Sequence, residues 1–341
     1  MQILVSGASG FIGCHLVAAL TQAGHEVRAF VRSNEKLSRA MTPFAVHPAE
    51  VHEGDIIDPA SVTKAIDGCD AVMHTANIYS YDPRRAREMM ETNVEGTRNI
   101  LAAAVEAGCD PIVNVSTGQI SWPRPSDDPD PVPLAPLSGL AYSDSKKHAE
   151  VVAREWQGKG APVVNTYPGG VFGPHDPGPG EQVTLLRTVL GPTAPFRIDG
   201  GFPACDIDWI TTVHVGLLEK GRGPRKVTCT GRYVTWDDWF VMARKLTGRS
   251  LPQRLPTPDW LLTASGAAMD RLQRIVPSRL PFGREPGWVL QNSYAYPDNE
   301  AREIAGPPPP LEESFARAVR WAVDAGHITA EQAGDLAPLP T

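Results

Sequence analysis

A chain of 341 residues, 42% hydrophobic and 21% charged, has the composition of an ordinary soluble globular protein, large enough for one big domain or two unequal ones. Its net charge of −7, with no cluster of Lys and Arg, argues against a nucleic-acid partner, which would need grouped cations to displace counterions from phosphates. The five cysteines (Cys14, Cys69, Cys109, Cys205, Cys229) are scattered without C-x-x-C spacing and no segment approaches 18 uncharged apolar residues, so no disulfide framework, no metal, no membrane partner and a reducing cytoplasmic setting are expected.

Residues 2–6, QILVS, read as a buried strand that runs straight into GASGFIG, with glycines at 7, 10 and 13. Gly7 permits a tight turn, Gly10 lets backbone approach a pyrophosphate, and Gly13 lets the helix starting near Phe11 pack on the strand, its free N–H groups facing the phosphates. The second strand, EVRAFV (26–31), ends at Arg32, with Asn34, Lys36 and Arg39 after it. A carboxylate there would accept from the ribose hydroxyls of NAD, whereas a guanidinium pairs with a 2′-phosphate, so NADP(H) is expected over NAD(H). A third strand precedes GDI (54–56), placing Asp55 for the adenine amino group and Ile56 against the ring. DAVMHT (70–75) ends a fourth strand beside the dinucleotide cleft.

A helix is expected over 85–107, a strand at PIVNVS (111–116), and a helix from 142 to 157. In that helix Tyr142 and Lys146 stand four apart, which brings a phenol and an ammonium to one face; a polar stripe on an exposed helix is the alternative. PVVNTY (162–167) and RKVTCTG (225–231) read as further strands, and TWDDWFVMARKLTG (235–248) as a helix with a Thr cap and acids in its first turn. Strand and helix in alternation predict an α/β, doubly wound parallel sheet of the Rossmann kind with a smaller C-terminal lobe. The dinucleotide domain is expected at 1–170, with 205–231 returning to the sheet, and the substrate lobe at 171–204 and 232–341.

Seven motifs in order then carry a resemblance: Gly7-x-x-Gly10-x-x-Gly13, Asp55-Ile56, HTA (74–76), TNVEGT (92–97), VST (115–117), Tyr142-x-x-x-Lys146 and YPGGVFGP (167–174). The chain resembles the extended short-chain dehydrogenases/reductases over nearly its full length, and among them is similar to dihydroflavonol reductases, cinnamoyl-CoA reductases and 3β-hydroxysteroid dehydrogenases. The ending DNEAREIAGPPPPLEESFARAVRWAVDAG (298–326) is also similar to theirs.

The resemblance implies Tyr142 as general acid/base and Lys146 as the cation that makes a phenol useful near neutral pH. It implies Thr117 as the hydroxyl that binds the substrate oxygen, with Ser116 as the alternative one residue earlier, and Asn93 as a further catalytic residue. The implied cofactor set is Gly7, Ser9, Gly10, Phe11, Ile12, Gly13, Arg32, Lys36, Asp55, Ile56, Thr75, Ala76, Asn77, Tyr142, Lys146, Pro168, Gly169 and Val171.

Departures from the family narrow the chemistry. Thr117-Gly118-Gln119 lacks the Asp-Glu pair of sugar-nucleotide dehydratases. Gly170 stands where epimerases carry an asparagine for the nucleotide diphosphate, and Trp122 falls where flavonoid reductases have an asparagine. Tyr79, Trp122, Gly170, Phe202 and Trp209 are candidate pocket walls, suited to an apolar or aromatic ketone or aldehyde. His214, at a position where the family has an aspartate, reads as structural. The function expected is NADPH-dependent interconversion of a carbonyl and an alcohol on such a small molecule; the alternatives are an epimerase-like sugar-nucleotide enzyme and a non-catalytic dinucleotide sensor. A homodimer through helices 85–107 and 142–157 is a further expectation.

Overall fold

The computed structural model describes residues 1–124, 130–178, 180–191, 196–251, 255–276 and 283–337. Its strands are β1 (Gln2–Ser6), β2 (Glu26–Val31), β3 (Glu50–Glu53), β4 (Ala71–His74), β5 (Ile112–Val115), β6 (Val163–Pro168), β7 (Gly170–Phe172), β8 (Phe196–Arg197), β9 (Gly201–Asp206), β10 (Arg225–Cys229), β11 (Arg232–Thr235) and β12 (Leu255–Pro256). Seven of them form one parallel sheet in the order β10-β6-β5-β4-β1-β2-β3.

Alternation within the strands explains why this sheet is covered on both sides. Ile3, Val5, Ala71, Met73, Val113, Val164 and Val227 share a core with the helices Phe11–Gln22 and Ile207–Gly216. Leu4, Val72, Ile112 and Val163 point the other way, into a core with the helices Pro59–Ile66 and Gly96–Glu106. Apolar residues at consecutive positions therefore mark strands buried on both faces, as a parallel sheet requires.

The order also locates the cleft. From β1 the chain builds outward to β2 and β3, then returns to β4 on the other side of β1 and proceeds to β5, β6 and β10. The reversal lies between β1 and β4, whose carboxyl ends are held level by the register Ser6↔His74. Ligands of open α/β sheets sit at such a reversal.

Two stretches differ from the sequence expectation. Of 205–231, only β10 joins the main sheet: β9 pairs with β7 and β11 in a second, three-stranded sheet, and Ile207–Gly216 is helical. Gly231, at φ +76°, turns the chain out of β10 into β11, and a side chain there would lie 2.2 Å from the Ala204 carbonyl oxygen. The helix expected over 85–107 runs from Ala86 to Glu106 with one widened turn at Glu91–Glu95. The helix Trp236–Thr247 starts on Thr235, whose hydroxyl and the Asp238 carboxylate cap each other's N–H groups. It packs Trp239 and Phe240 with Phe172, Val234 and Phe315 into a third core, against the three-stranded sheet.

Candidate active site

The turn after β1 is built for close approach. Gly7 adopts φ +72° and lies so near the end of β4 that a Cβ would fall 2.7 Å from the Ala76 backbone. A Cβ on Gly13 would fall 2.1 Å from the Gly7 carbonyl oxygen, and the Gly10 N–H donates to that same oxygen at 2.8 Å. No side chain caps the helix that begins at Phe11, so its first N–H groups face the cleft, where Gly10, Phe11, Ile12 and Gly13 form the wall. Ser9 sits half-buried in the turn. Thr75 donates to the Ser6 carbonyl at 2.7 Å and Asn77 to the Thr75 carbonyl at 3.1 Å, fixing the second edge of the cleft. This cradle, which any side chain on Gly7 or Gly13 would fill, fits a dinucleotide.

At the far end Arg32 and Lys36 are exposed, with Glu88 in electrostatic reach of Arg32. Asp55 is half-buried and accepts from the Ile57 N–H at 3.2 Å. Ile56, expected against the adenine ring, is buried beside Asp55. Its side chain is buried in the gap left by Gly96, whose Cβ would lie 2.3 Å from Ile56 Cδ1.

Tyr142 stands in the first turn of the helix Ala141–Gly158, buried at the cleft, with the Thr117 hydroxyl beyond the end of β5 within electrostatic reach of its phenol. Burial, seconded by the carboxylate of Glu285, holds this phenol above its ordinary titration range, with the Thr117 hydroxyl opposing. Lys146 lies one turn on with its ammonium donating to the Val115 carbonyl at 3.1 Å; burial pushes it down to about 8 against the attraction of Glu150. Ser116 gives its hydroxyl to Glu150 Oε2 at 2.8 Å, which leaves Thr117 as the hydroxyl beside the phenol. Lys147 reaches away, donating to the Pro136 carbonyl at 2.6 Å.

Asn93, expected as a further catalytic residue, stands outside the residues that line the cavity. Its amide is fully engaged: Oδ1 accepts from the Ile78 N–H at 2.7 Å, while Nδ2 donates to the Ile78 carbonyl at 3.1 Å and to Ser145 Oγ at 3.0 Å. It ties the loop that carries Tyr79 to the Tyr142 helix.

Tyr142 and Thr117 stand midway in one continuous cavity of about 410 Å³, whose other end is the glycine-turn cleft. Pro168, Gly169 and Val171 form its floor, and Tyr79, Trp122, Gly170 and Phe202 stand in its walls. The Tyr79 ring lies 4.7 Å from that of Tyr142, and Tyr79 and Tyr81 share a hydrogen bond at 3.0 Å. Trp122 is anchored by its indole N–H to the Tyr294 carbonyl at 3.2 Å. Trp209 is not a wall: it is buried behind the sheet in the helix Ile207–Gly216, donating to the Gly306 carbonyl at 2.9 Å. His214 is equally internal, between Thr166 Oγ1 at 2.9 Å and the Ile210 carbonyl at 2.7 Å.

Sequence reasoning missed the deeper walls, Phe172, Leu185, Trp236, Val289 and Leu290, which arrive from four separate segments. It also missed Glu285, whose buried carboxylate accepts from the N–H groups of Tyr142 at 3.2 Å and Ser143 at 2.7 Å. No spacing rule links residues 143 apart. Among the described residues no His/Cys/Asp/Glu group could hold a metal ion, and no helix is long and apolar enough to cross a membrane.

Comparison with known proteins gives the same frame. The model of the NAD dependent epimerase/dehydratase family matches residues 3–190. Sterol demethylase protein B of Methylococcus capsulatus is 29% identical, with 96% of this chain and 100% of that protein covered. The dihydroflavonol 4-reductase of Hordeum vulgare is 31% identical over 75% of this chain and 78% of its own. Among solved structures, DesIV (dTDP-glucose 4,6-dehydratase) from Streptomyces venezuelae, with NAD and TYD bound, shares the fold at a TM-score of 0.72 and 23% identity, covering 95% of this chain and 97% of that one.

Proposed function

Because this chain belongs to the NAD dependent epimerase/dehydratase family, as an extended short-chain dehydrogenase/reductase, we propose that it is an NADP(H)-dependent oxidoreductase interconverting an alcohol and a ketone or aldehyde on a bulky apolar molecule of sterol or polycyclic aromatic size. One observation carries this reading: Tyr142 and Thr117 both line the cavity that joins the glycine-turn cleft to chamber walls of Phe172, Phe202, Trp236 and Leu290. The names of the relatives, a sterol-demethylating protein and a dihydroflavonol reductase, support a large apolar substrate.

Bound at the cleft, the nicotinamide cofactor supplies or takes the hydride. The chain's own residues manage the proton and the oxygen. Tyr142 gives its phenolic proton to the carbonyl oxygen in reduction and recovers it in oxidation, while Thr117 donates a hydrogen bond that holds that oxygen in place. Buried Lys146 keeps a positive charge one helical turn from the phenol, which offsets the cost of a phenolate in an apolar site. The apolar chamber excludes water and sets which molecules fit.

A sugar nucleotide fits this chamber poorly. At 170 a Cβ would lie 3.0 Å from the Phe202 ring, so the space for a polar side chain to the diphosphate is taken by an aromatic wall.

The test follows NADPH absorbance with a panel of steroid, polycyclic and small aliphatic ketones, and with dTDP- and UDP-sugars, on the wild-type protein and Tyr142→Phe. Turnover is expected with the bulky ketones and should fall roughly 10²- to 10⁴-fold in the variant. NADPH binding without turnover of any carbonyl would leave the non-catalytic sensor in its place.

A further inference from the structure

We propose that Glu285 is a positioning residue for Tyr142: one buried carboxylate from the substrate lobe clamps the start of the helix that carries the phenol, so that the chamber wall and the proton donor are set by a single group. The proposal rests on the oxidoreductase reading above.

The Tyr142 helix lacks a cap of its own, since Leu140 stands at its N-cap and offers no acceptor. Glu285 fills that role from the helix Arg284–Asn292. Its Oε2 accepts from the Tyr142 N–H and its Oε1 from the Ser143 N–H, which also places a negative charge at the positive end of the helix. The carboxylate takes a third hydrogen bond, to Oε1 from Gln119 Nε2 at 3.2 Å, and that same amide donates to Ser143 Oγ at 2.5 Å. Gln119 belongs to the turn that opens with Thr117, whose hydroxyl accepts from the Gln119 N–H at 3.3 Å. The carboxylate thus joins the two segments that bear the reacting hydroxyls to a helix whose Pro286, Val289 and Leu290 form the chamber wall.

Such a group is costly to keep. A carboxylate 5% exposed in this setting loses most of its hydration and is retained only where its hydrogen bonds compensate. Burial pushes Glu285 up to about 7, with the Ser143 and Tyr142 donors opposing and Asp144 adding to the rise. The Lys147 ammonium, held on the Pro136 carbonyl, lies in electrostatic reach of Asp144 and of Glu285, and the phenols of Tyr142, Tyr79 and Tyr81 feel the Glu285 charge. The ionised carboxylate disfavours a phenolate at Tyr142 and so favours the protonated acid that reduction consumes.

Glu285→Gln keeps the size and removes the charge, and Glu285→Asp keeps the charge while drawing it back by one methylene. The pH dependence of kcat in the alcohol-oxidising direction reports the phenolate, so its rising limb is expected to move to lower pH by roughly one unit in Glu285→Gln and to stay in place in Glu285→Asp. Amide hydrogen exchange at 142 and 143, measured on the same proteins with cofactor bound, is expected to quicken about tenfold in Glu285→Gln while β1 and β4 keep their protection. An unmoved limb, or an equal loss of kcat in both variants with no change in profile, would overturn the proposal and leave Glu285 a packing residue. Unchanged exchange at 142 and 143 would overturn it even with no substrate in hand. A wild-type protein without turnover would instead remove the oxidoreductase reading, while the exchange result still decides the clamp.

Discussion

Arg32 and Lys146 do opposite things with a positive charge. Lys146 is buried against the Val115 carbonyl one helical turn from Tyr142, and burial pushes its ammonium down to about 8, so it stays a cation at neutral pH. Arg32 stays exposed at the end of β2, where a planar fork of donors can reach a 2′-phosphate and where no carboxylate replaces it for the ribose hydroxyls. Glu88 is held by the Arg85 guanidinium and feels Arg32 only through the longer-range charge. A charge-assisted hydrogen bond of this sort is worth roughly 1.5–3 kcal/mol, so Arg32→Ala is expected to weaken NADP(H) binding about 10- to 100-fold. NAD(H), which lacks the phosphate, should bind within about twofold of its wild-type affinity. Titration of both cofactors by nucleotide fluorescence checks this, and equal losses for the two would mean that Arg32 supports the cleft without reading the phosphate.

The corner between β6 and β7 shows how an element decides what a site accepts. A Cβ on Gly169 would meet the Thr230 and Pro203 carbonyl oxygens at 2.3 and 2.6 Å, so the chain can cross from the large sheet to the small one there only as glycine. Gly170 is tight in a softer way, because its obstacle is the Phe202 ring at 3.0 Å, which lines the chamber and stacks toward Trp239. Gly170→Asn is therefore expected to push that ring aside, costing about 1–3 kcal/mol of stability by overpacking and raising KM for a bulky ketone while leaving cofactor affinity unchanged. Thermal melts and steady-state kinetics read the two effects, and an unaltered KM would remove Phe202 from the chamber wall. The same corner shows what a sequence makes legible. Strands buried on both faces announce themselves as unbroken apolar runs, and a glycine triplet between strand and helix has few other uses, so the sheet and its cleft could be read directly. Side-chain destinations could not: Trp209 and Trp122 look alike as letters, yet a buried helix behind the sheet takes the first and the chamber takes the second. Asn93 sits on a motif but in a widened helical turn, where the Ile78 backbone claims its amide. Glu285 reaches Tyr142 only because the chain folds back over 143 residues, and no local pattern records that contact.

At the scale of the whole molecule, two buried histidines and two carboxylates withdrawn from solvent form two sets whose pH effects oppose each other. His74, held between Ser6 Oγ at 2.7 Å and Thr97 Oγ1 at 3.2 Å, is pushed by burial down to about 3, with Lys146 adding to the effect; His214 is pushed by burial down to about 4. Each is neutral in the fold and free to charge near pH 6.5 once unfolded, so the unfolded chain binds more protons and the fold loses stability as pH drops below 6.5. At roughly 1.4 kcal/mol per pH unit, each histidine costs about 2 kcal/mol by pH 5. Glu285 and Asp176 work in the other direction. Burial raises them to about 7 and about 6, so the fold binds their protons first and gains stability as pH falls through those values. Since the two sets are of similar size, the wild-type melting temperature is expected to change little between pH 8 and pH 5. Replacing both histidines by glutamine, which keeps hydrogen-bonding capacity but cannot charge, removes one set only. The double variant should lose some stability at every pH from altered packing, yet its melting temperature should climb as pH falls from 8 to 5. Melting curves at half-unit intervals measure that slope, and a slope identical to the wild type's would show that His74 and His214 are charged inside the fold after all.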